Sequence, residues 1–210
     1  MEVAAILEGK EKERIYGLMG NMNLTTNNNN FSIVTDYKFN GTVKEYLNSK
    51  KVQSSLKMVM LNDAYLDKRS SELSIGDLKK VTLAKALIEN KDYLVLDYFD
   101  SELNDREKEH FKRLWKRLVA DYHKTVVIFT NDLTSFWDIA KELLYVDKYK
   151  VTNTIPKNEY DNFLDNLNKP EISKLIELIR RKGIDIEEYH DPKDLLKAIY
   201  RIKESNLWNI

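Results

Sequence analysis

Residues 73–97 read LSIGDLKKVTLAKALIENKDYLVLD and carry the clearest secondary-structure signals of the chain. Ser74 followed three residues later by Asp77 is typical of a capped helix start, because the serine oxygen can accept an amide N–H of the first turn. Apolar residues then recur at helical spacing as far as Asn90: Leu78, Val81, Ala84 and Ile88. The apolar run at 93–96 suits a strand that is buried on both faces of a parallel sheet. The stretch therefore predicts a helix followed by a central strand.

The same alternation continues downstream. Asn104 and Glu107 fit a capping box at the start of a second helix. A buried strand is predicted at 126–129, then a helix at 136–141 and a third strand at 143–146. Strands that alternate with helices in this way predict an α/β domain with a parallel sheet and right-handed crossovers.

Upstream of residue 73 the pattern is weaker. Apolar runs at 3–7 and 14–19 predict two strands joined by a turn, and 31–34 predicts another short strand. Four consecutive asparagines at 27–30 favour neither helix nor strand and indicate a loop. Residues 42–61 are predicted to be helical.

The pattern changes again after residue 150. Helices with one apolar face are predicted to begin at Pro170 and Pro192, because proline suits the first turn of a helix. We therefore expect a main domain over 1–151, with a helical subdomain at about 42–76, and a small helical appendage over 152–210.

Composition restricts the classes of function. The 210-residue chain has 34 Lys and Arg and 34 Asp and Glu, and this balance disfavours a dedicated nucleic-acid binder. The absence of cysteine excludes disulfides and thiolate metal sites and suggests a reducing compartment. No apolar run approaches the roughly 20 residues of a membrane span, and residues 1–9 lack the pattern of a secretory signal. We expect a cytoplasmic chain that reaches a membrane only through a partner.

Five short motifs resemble, in order, the second half of the ATP-binding subunit of ABC transporters. The family motifs are the signature L-S-G-G-Q, the Walker B strand L-L-L-L-D-E-P, the D-loop S-A-L-D, a strand that ends in T-H-D and the closing strand V-L-D-K-G-K-I. Each of them has a counterpart in this chain. These are LSIGD at 73–77, YLVLDYF at 93–99, SELN at 101–104, VVIFTND at 126–132 and LYVDKYKV at 144–151. The resemblance implies a P-loop NTPase-like ABC ATPase fold.

The N-terminal half carries a shorter resemblance. ERIYGLMG at 13–20 and TVKEYL at 42–47 are similar to G-E-I-Y-G-L-L-G and T-V-R-E-Y-L in the branch that exports drugs and bacteriocins. Between these motifs the family has a long helix and several strands, for which this chain has too few residues. The resemblance therefore implies a truncated N-terminal half, with the helix behind the phosphate loop missing or rudimentary.

The resemblance also implies weak nucleotide binding. Asn23 stands where the family's phosphate loop, G-x-x-G-x-G-K-S/T, has lysine, and Leu24 replaces its hydroxyl residue. A lysine charge about 4 Å from a phosphate contributes on the order of 4 kcal/mol at an effective dielectric of about 20, and asparagine cannot supply it. The candidate contacts to ATP and Mg²⁺ are Gly17, Gly20, Asn23, Thr25 and Asp97.

The hydrolytic positions are altered as well. Tyr98 stands where the family has its catalytic glutamate, and a phenol with a pKa near 10 is a poor base for water. Asn131 replaces the family's H-loop histidine. The resemblance thus implies a catalytically inactive subunit, a pseudoenzyme. Two alternatives remain: a weakly active ABC ATPase that drives export, and a soluble scaffold without a transporter.

The signature loop keeps Ser74 and Gly76, whereas Asp77 replaces glutamine. In the family this loop acts across a dimer on the partner's nucleotide, so one interpretation is that it completes a partner's site. The other is that Ser74 only caps its helix. The partners implied are a membrane permease, contacted through 42–74 at the inner face of the cell membrane, and a second ATPase subunit, either identical or competent.

An acidic run follows the Walker B-like strand and comprises Asp100, Glu102 and Asp105. We interpret it as a solvated, helix-capping loop and predict no metal site there.

Overall fold

The computed structural model describes residues 2–20, 24–131, 135–147, 150–168, 171–189 and 191–204. Asn23 and the start of the helix predicted from Pro170 therefore lie outside the described residues.

A mixed six-stranded sheet forms the centre of the larger unit. Its order is β2-β3-β4-β1-β5-β6, with β1 to β5 parallel and β6 antiparallel to β5. The strands are β1 Ile15–Gly20, β2 Phe31–Val34, β3 Tyr93–Asp97, β4 Thr125–Phe129, β5 Glu142–Asp147 and β6 Lys150–Pro156. This confirms the predicted α/β fold class.

Eight helices are described along the chain. They are α1 Val3–Ile6, α2 Val43–Leu47, α3 Val52–Met58, α4 Ile75–Glu89, α5 Asp105–Tyr122, α6 Tyr160–Asn168, α7 Glu171–Arg181 and α8 Pro192–Glu204. Short 3₁₀ turns lie at Asp63–Tyr65, Ser70–Glu72, Phe99–Glu102 and Lys157–Glu159. Among the described residues, none of these helices combines the length and apolar character that a bilayer crossing requires.

The two helices predicted on either side of the Walker B-like strand are capped as expected. The Ser74 side chain accepts the Asp77 N–H at 3.1 Å, and α4 ends at Asn90 in the left-handed conformation. Asn104 and Glu107 form the predicted capping box at the start of α5. Local sequence signals therefore fix both ends of α4 and the start of α5.

Two predicted elements were wrong. Residues 3–7 form the one-turn helix α1 rather than a strand, because Val3, Ile6 and Leu7 share a helical face that packs onto the sheet. Residues 136–141 form a turn rather than a helix. The Lys141 N–H donates to the Ile15 carbonyl at 2.8 Å. The chain therefore joins the sheet beside β1 only five residues after Phe136, which leaves no room for a longer helix.

The predicted helical region at 42–61 is divided into α2 and α3, because Asn48 adopts the left-handed conformation between them. Strand β6 was not predicted. It makes residues 152–156 part of the sheet, so the division between compact units falls between Lys157 and Asn158 rather than at the expected 151/152. The smaller unit, Asn158–Ile210, has a core of its own: Ile176, Ile179, Ile186, Leu195 and Ala198.

Candidate functional site

The residues with the chemistry of interest meet at the carboxyl ends of β3 and β4. Asp97 ends β3 and Tyr98 follows it, while Thr130 and Asn131 follow β4, the next strand in the sheet. Carboxyl ends of parallel strands meet at one edge of the sheet, where α/β proteins bind their ligands. The structure therefore brings together Asp97, Tyr98 and Asn131 of the predicted site.

Tyr98 adopts a backbone conformation that tyrosine rarely takes, with φ of 46°. Its N–H donates to the Phe129 carbonyl at 2.9 Å, and its ring lies against the Phe129 ring with 4.7 Å between centroids. Its hydroxyl donates to Asn131 Oδ1 at 3.2 Å. Tyr98 and Asn131, the two positions at which the resemblance expects a glutamate and a histidine, are thus hydrogen-bonded to each other.

Burial raises the pKa of Tyr98, and the nearby charges of Asp97 and Asp100 raise it further. The phenol therefore keeps its proton at neutral pH and acts as a hydrogen-bond donor. A general base must accept a proton from water at the working pH. A protonated Tyr98 is a poor general base for this reason.

Lys79 of α4 reaches the same edge and was not predicted as part of the site. Its ammonium donates to the Tyr98 carbonyl and, at 2.9 Å, to Ser101 Oγ, although the residue is only 7% exposed. Burial raises the pKa of Asp97, and the charge of Lys79 partly offsets that effect. In the sequence, Lys79 has the character of an ordinary surface residue of a helix. Its burial could not be predicted, because α4 is packed on most of its sides in the folded chain.

Glu102 and Asp105 are exposed, as the interpretation of a solvated loop expects, whereas Asp100 is half buried. One carboxylate oxygen, Oδ2, accepts the Thr130 hydroxyl at 2.8 Å, whereas Oδ1 is buried without a hydrogen-bond partner. Burial raises the pKa of Asp100 despite that hydrogen bond. No group of three or more metal-ligating carboxylate or imidazole side chains occurs in the described part of the chain.

The glycines assigned to the phosphate loop have structural roles in the sheet. Gly17 lies in the middle of β1, paired with Ile128 of β4 and Leu143 of β5, and so is not part of a loop. Gly20 ends β1 with φ of 136°, and a Cβ at that position would come within 2.1 Å of the Val146 carbonyl oxygen. The approach of β5 is therefore enough to require glycine at position 20.

The link from β1 to β2 contains no helix in its described part, residues 24–30. The backbone of Thr25 instead pairs with the N-terminal segment, where its carbonyl accepts the Val3 N–H at 3.0 Å. Segment 15–37 contains neither lysine nor arginine. The residues described there supply no cation and no helix dipole for a triphosphate, so they do not fit ATP.

The signature-like segment is exposed at the start of α4. A Cβ on Gly76 would lie 3.3 Å from Glu102 Cβ, so this glycine allows α4 to approach the Phe99–Glu102 turn. Burial raises the pKa of Tyr65, and the nearby charge of Asp77 raises it further. Ser74 and Asp77 therefore both have structural partners within the chain.

Two curated relatives illustrate the sequence similarity. The energy-coupling factor transporter ATP-binding protein EcfA2 of Mycoplasma capricolum is 30% identical over 142 residues, or 65% of this chain and 49% of that protein. The zinc import ATP-binding protein ZnuC of Ehrlichia chaffeensis is 32% identical over 99 residues, or 44% of this chain and 41% of that protein. The chain spans about half the length of the curated relatives it matches. No family model matches it.

Solved structures are similar over a larger share. The dimeric ATP-binding cassette MJ0796 of Methanocaldococcus jannaschii, bound to ADP and phosphate, has a TM-score of 0.60 at 17% identity, with 70% of this chain and 87% of that chain covered. The cbiO1 protein of Clostridium perfringens, part of the ABC transporter complex cbiONQ, has a TM-score of 0.56 at 16% identity, with 80% and 88% covered. These likenesses define the class: the chain has the fold of an ABC ATPase cassette.

The two curated relatives are both named as ATP-binding proteins, one of an energy-coupling factor transporter and one of zinc import, which agrees with this fold. The comparisons do not single out the export branch, because relatives named for zinc import and nickel import are among those found.

Proposed function

We propose that the chain is a non-catalytic, ATPase-like subunit of an ABC system. It acts as a structural or regulatory partner of a membrane permease, of a competent ATPase subunit, or of both. It works on the cytoplasmic side of the membrane, to which the permease holds it. The export branch suggested by 13–20 and 42–47 stays a prediction.

The observation that carries this proposal is the state of Tyr98. A protonated phenol, hydrogen-bonded to Asn131, occupies the position from which the resemblance expects a carboxylate to activate water. Hydrolysis also needs a cation on the phosphates, and segment 15–37 has none. The missing base and the missing cation both affect the attack of water on the γ-phosphate. The proposed loss of turnover therefore does not depend on either one alone.

The helical subdomain offers a surface for the permease. Between α2 and α3 lies an open cavity of about 550 Å³, lined in part by Lys44, Asn48, Lys50 and Gln53. The two lysines give this surface a positive charge that suits an acidic or polar loop of a membrane protein. This supports contact through the predicted segment 42–74.

A nucleotide titration of the purified chain, with and without Mg²⁺, tests the catalytic part. We expect no saturable binding of ATP below a Kd of about 1 mM, which corresponds to roughly −4 kcal/mol. Micromolar binding that requires Mg²⁺ and weakens in Asp97→Asn would instead support the weakly active ATPase.

Co-expression with a multi-spanning membrane protein encoded beside the chain tests the partner. We expect the two to co-purify in detergent, and Lys44→Glu with Lys50→Glu to reduce recovery. Lys116→Glu on the exposed face of α5 is the matched control, because it makes the same charge change away from the cavity. Failure to co-purify, with the chain folded, would favour the soluble scaffold.

A further inference from the structure

A second cavity lies at the opposite end of the strands from the candidate site. Its volume is about 250 Å³, slightly below the roughly 300 Å³ at which ligand pockets usually begin. It opens near the amino-terminal ends of β2 and β3, where Ser32 and Tyr93 contribute to the wall. The volume restricts an occupant to a small molecule.

The lining of this cavity combines an apolar wall with three lysines. Met58, Ala86, Leu94 and Leu118 contribute apolar side chains from α3, α4, β3 and α5. The lysines are Lys51, Lys91 and Lys124. A wall of this kind suits a molecule with an apolar body and a negative charge.

Lys124 is the unusual member of this group. It is only 9% exposed, yet its ammonium donates a hydrogen bond to a neutral acceptor, the Asn90 carbonyl, at 2.8 Å. Within the described ranges of the chain, no carboxylate lies within 4.0 Å of its ammonium. A buried charge is normally paired with an opposite charge, so an ammonium beside a cavity that has no carboxylate partner among the described residues favours an anionic ligand.

The neighbouring charges limit how much negative charge the cavity accepts. Lys91 donates to the Phe31 carbonyl at 3.1 Å and lies 3.5 Å from the Glu89 carboxylate. Glu89 also accepts the Ser32 hydroxyl at 3.3 Å. The charge of Lys91 is therefore partly neutralised, and Glu89 would repel a dianion such as a phosphate monoester.

We infer that this cavity binds a small organic monocarboxylate, with the carboxylate on Lys124 and an apolar body against Met58 and Leu118. The site is separate from the edge that carries Asp97 and Tyr98 and does not depend on the function proposed above. Its occupant would tie α3 of the helical subdomain to α4 and α5, because all three helices line the cavity.

Benzoate and its neutral analogue benzamide test this inference, by ¹H–¹⁵N chemical-shift titration of the wild-type chain. We expect benzoate to bind at least about tenfold more tightly than benzamide, as one charge-assisted contact allows. The shifts should centre on Ser55, Ala86 and Leu118. Phenyl phosphate should bind more weakly than benzoate, because of Glu89.

Variants at Lys124 locate the effect. Lys124→Met should weaken benzoate binding about tenfold or more and leave benzamide within about twofold, whereas Lys124→Arg should retain the preference for benzoate. Lys116→Met is the control, since Lys116 is exposed on α5, the helix that precedes Lys124, and does not line the cavity. Equal affinity for benzoate and benzamide, or no effect of Lys124→Met, would overturn the inference. If Lys124→Met fails to fold, the benzoate–benzamide comparison in the wild type decides.

Discussion

Tyr98 shows how one residue can change the chemistry of a strand end. The sequence was enough to predict that a phenol replaces a carboxylate there. It could not reveal the left-handed backbone, the hydrogen bond to Asn131 or the contact of Lys79 with the Tyr98 carbonyl. The hydrogen bonds of Tyr98 are made with β4, with Asn131 after it and with α4, which are distant in sequence, so they are tertiary effects.

Asp100 leads to a pH-dependent prediction. Its folded pKa lies above the ordinary value of 3.8, so the folded state retains the proton more strongly than the unfolded state just above that pH. Stability therefore falls as pH rises through this window, and the loss persists at neutral pH. Asp100→Asn should be more stable than wild type at pH 7, by on the order of 1 kcal/mol, because a neutral buried group without a partner costs less than a charged one.

Urea unfolding of both proteins between pH 4 and pH 8 measures this difference. The stability advantage of Asp100→Asn should shrink as pH falls toward 4, where the wild-type carboxyl also becomes neutral. An advantage that stayed constant over the whole range would contradict the account of Asp100.

Gly20 allows a second test at the residue scale. Gly20→Ala should destabilise the chain by roughly 2–4 kcal/mol, because the new Cβ meets the Val146 carbonyl oxygen and the backbone is in a region suited to glycine. Gly9→Ala is the matched control: its φ is also positive, at 74°, but a Cβ there meets nothing within 4 Å. It should cost only about 1–2 kcal/mol. Equal costs in denaturant unfolding would show that the approach of β5 does not matter.

At the scale of elements, success followed the strength of the local signals. The helices α4 and α5 and the strands β3 and β4 were predicted because caps and apolar periodicity agree there. The helix α1 was missed because VAAIL at 3–7 suits a strand as well as a helical face, and only packing on the sheet decides between them. The strand β6 is mostly exposed and polar, and its pairing with β5 gives no local signal.

The start of α4 distinguishes a cap from a ligand contact. Ser74→Ala should cost about 1 kcal/mol of stability, because the Asp77 N–H loses its acceptor. Ser74→Asp retains a capping oxygen and should stay within about 0.5 kcal/mol of wild type. Thermal unfolding of the two variants gives both values.

The same Ser74 variants can be tested for function by measuring the ATP turnover of a competent ATPase partner mixed with them. If Ser74 only caps α4, Ser74→Asp should support the partner's ATP turnover as well as wild type does. Loss of that support, in a variant of unchanged stability, would instead assign Ser74 a role across the dimer.

On the scale of the whole molecule, the motif order in the sequence was enough to predict the cassette fold. The motifs were not enough to predict the boundary of the main unit, because residues 152–156 join the sheet through β6. The described site is also less complete than its motifs suggested. Gly17 is paired within the sheet, Gly20 allows the close approach of β5, and Thr25 pairs with the N-terminal segment.

Steady-state ATP turnover of the purified chain with Mg²⁺ is the most direct test of the central claim. Phosphate release should be no faster than in a protein-free control, and it should not change in Tyr98→Phe, which lacks the hydroxyl bonded to Asn131. Turnover on the order of 1 per second, at the low end for enzymes, that disappears in Tyr98→Phe would contradict that claim.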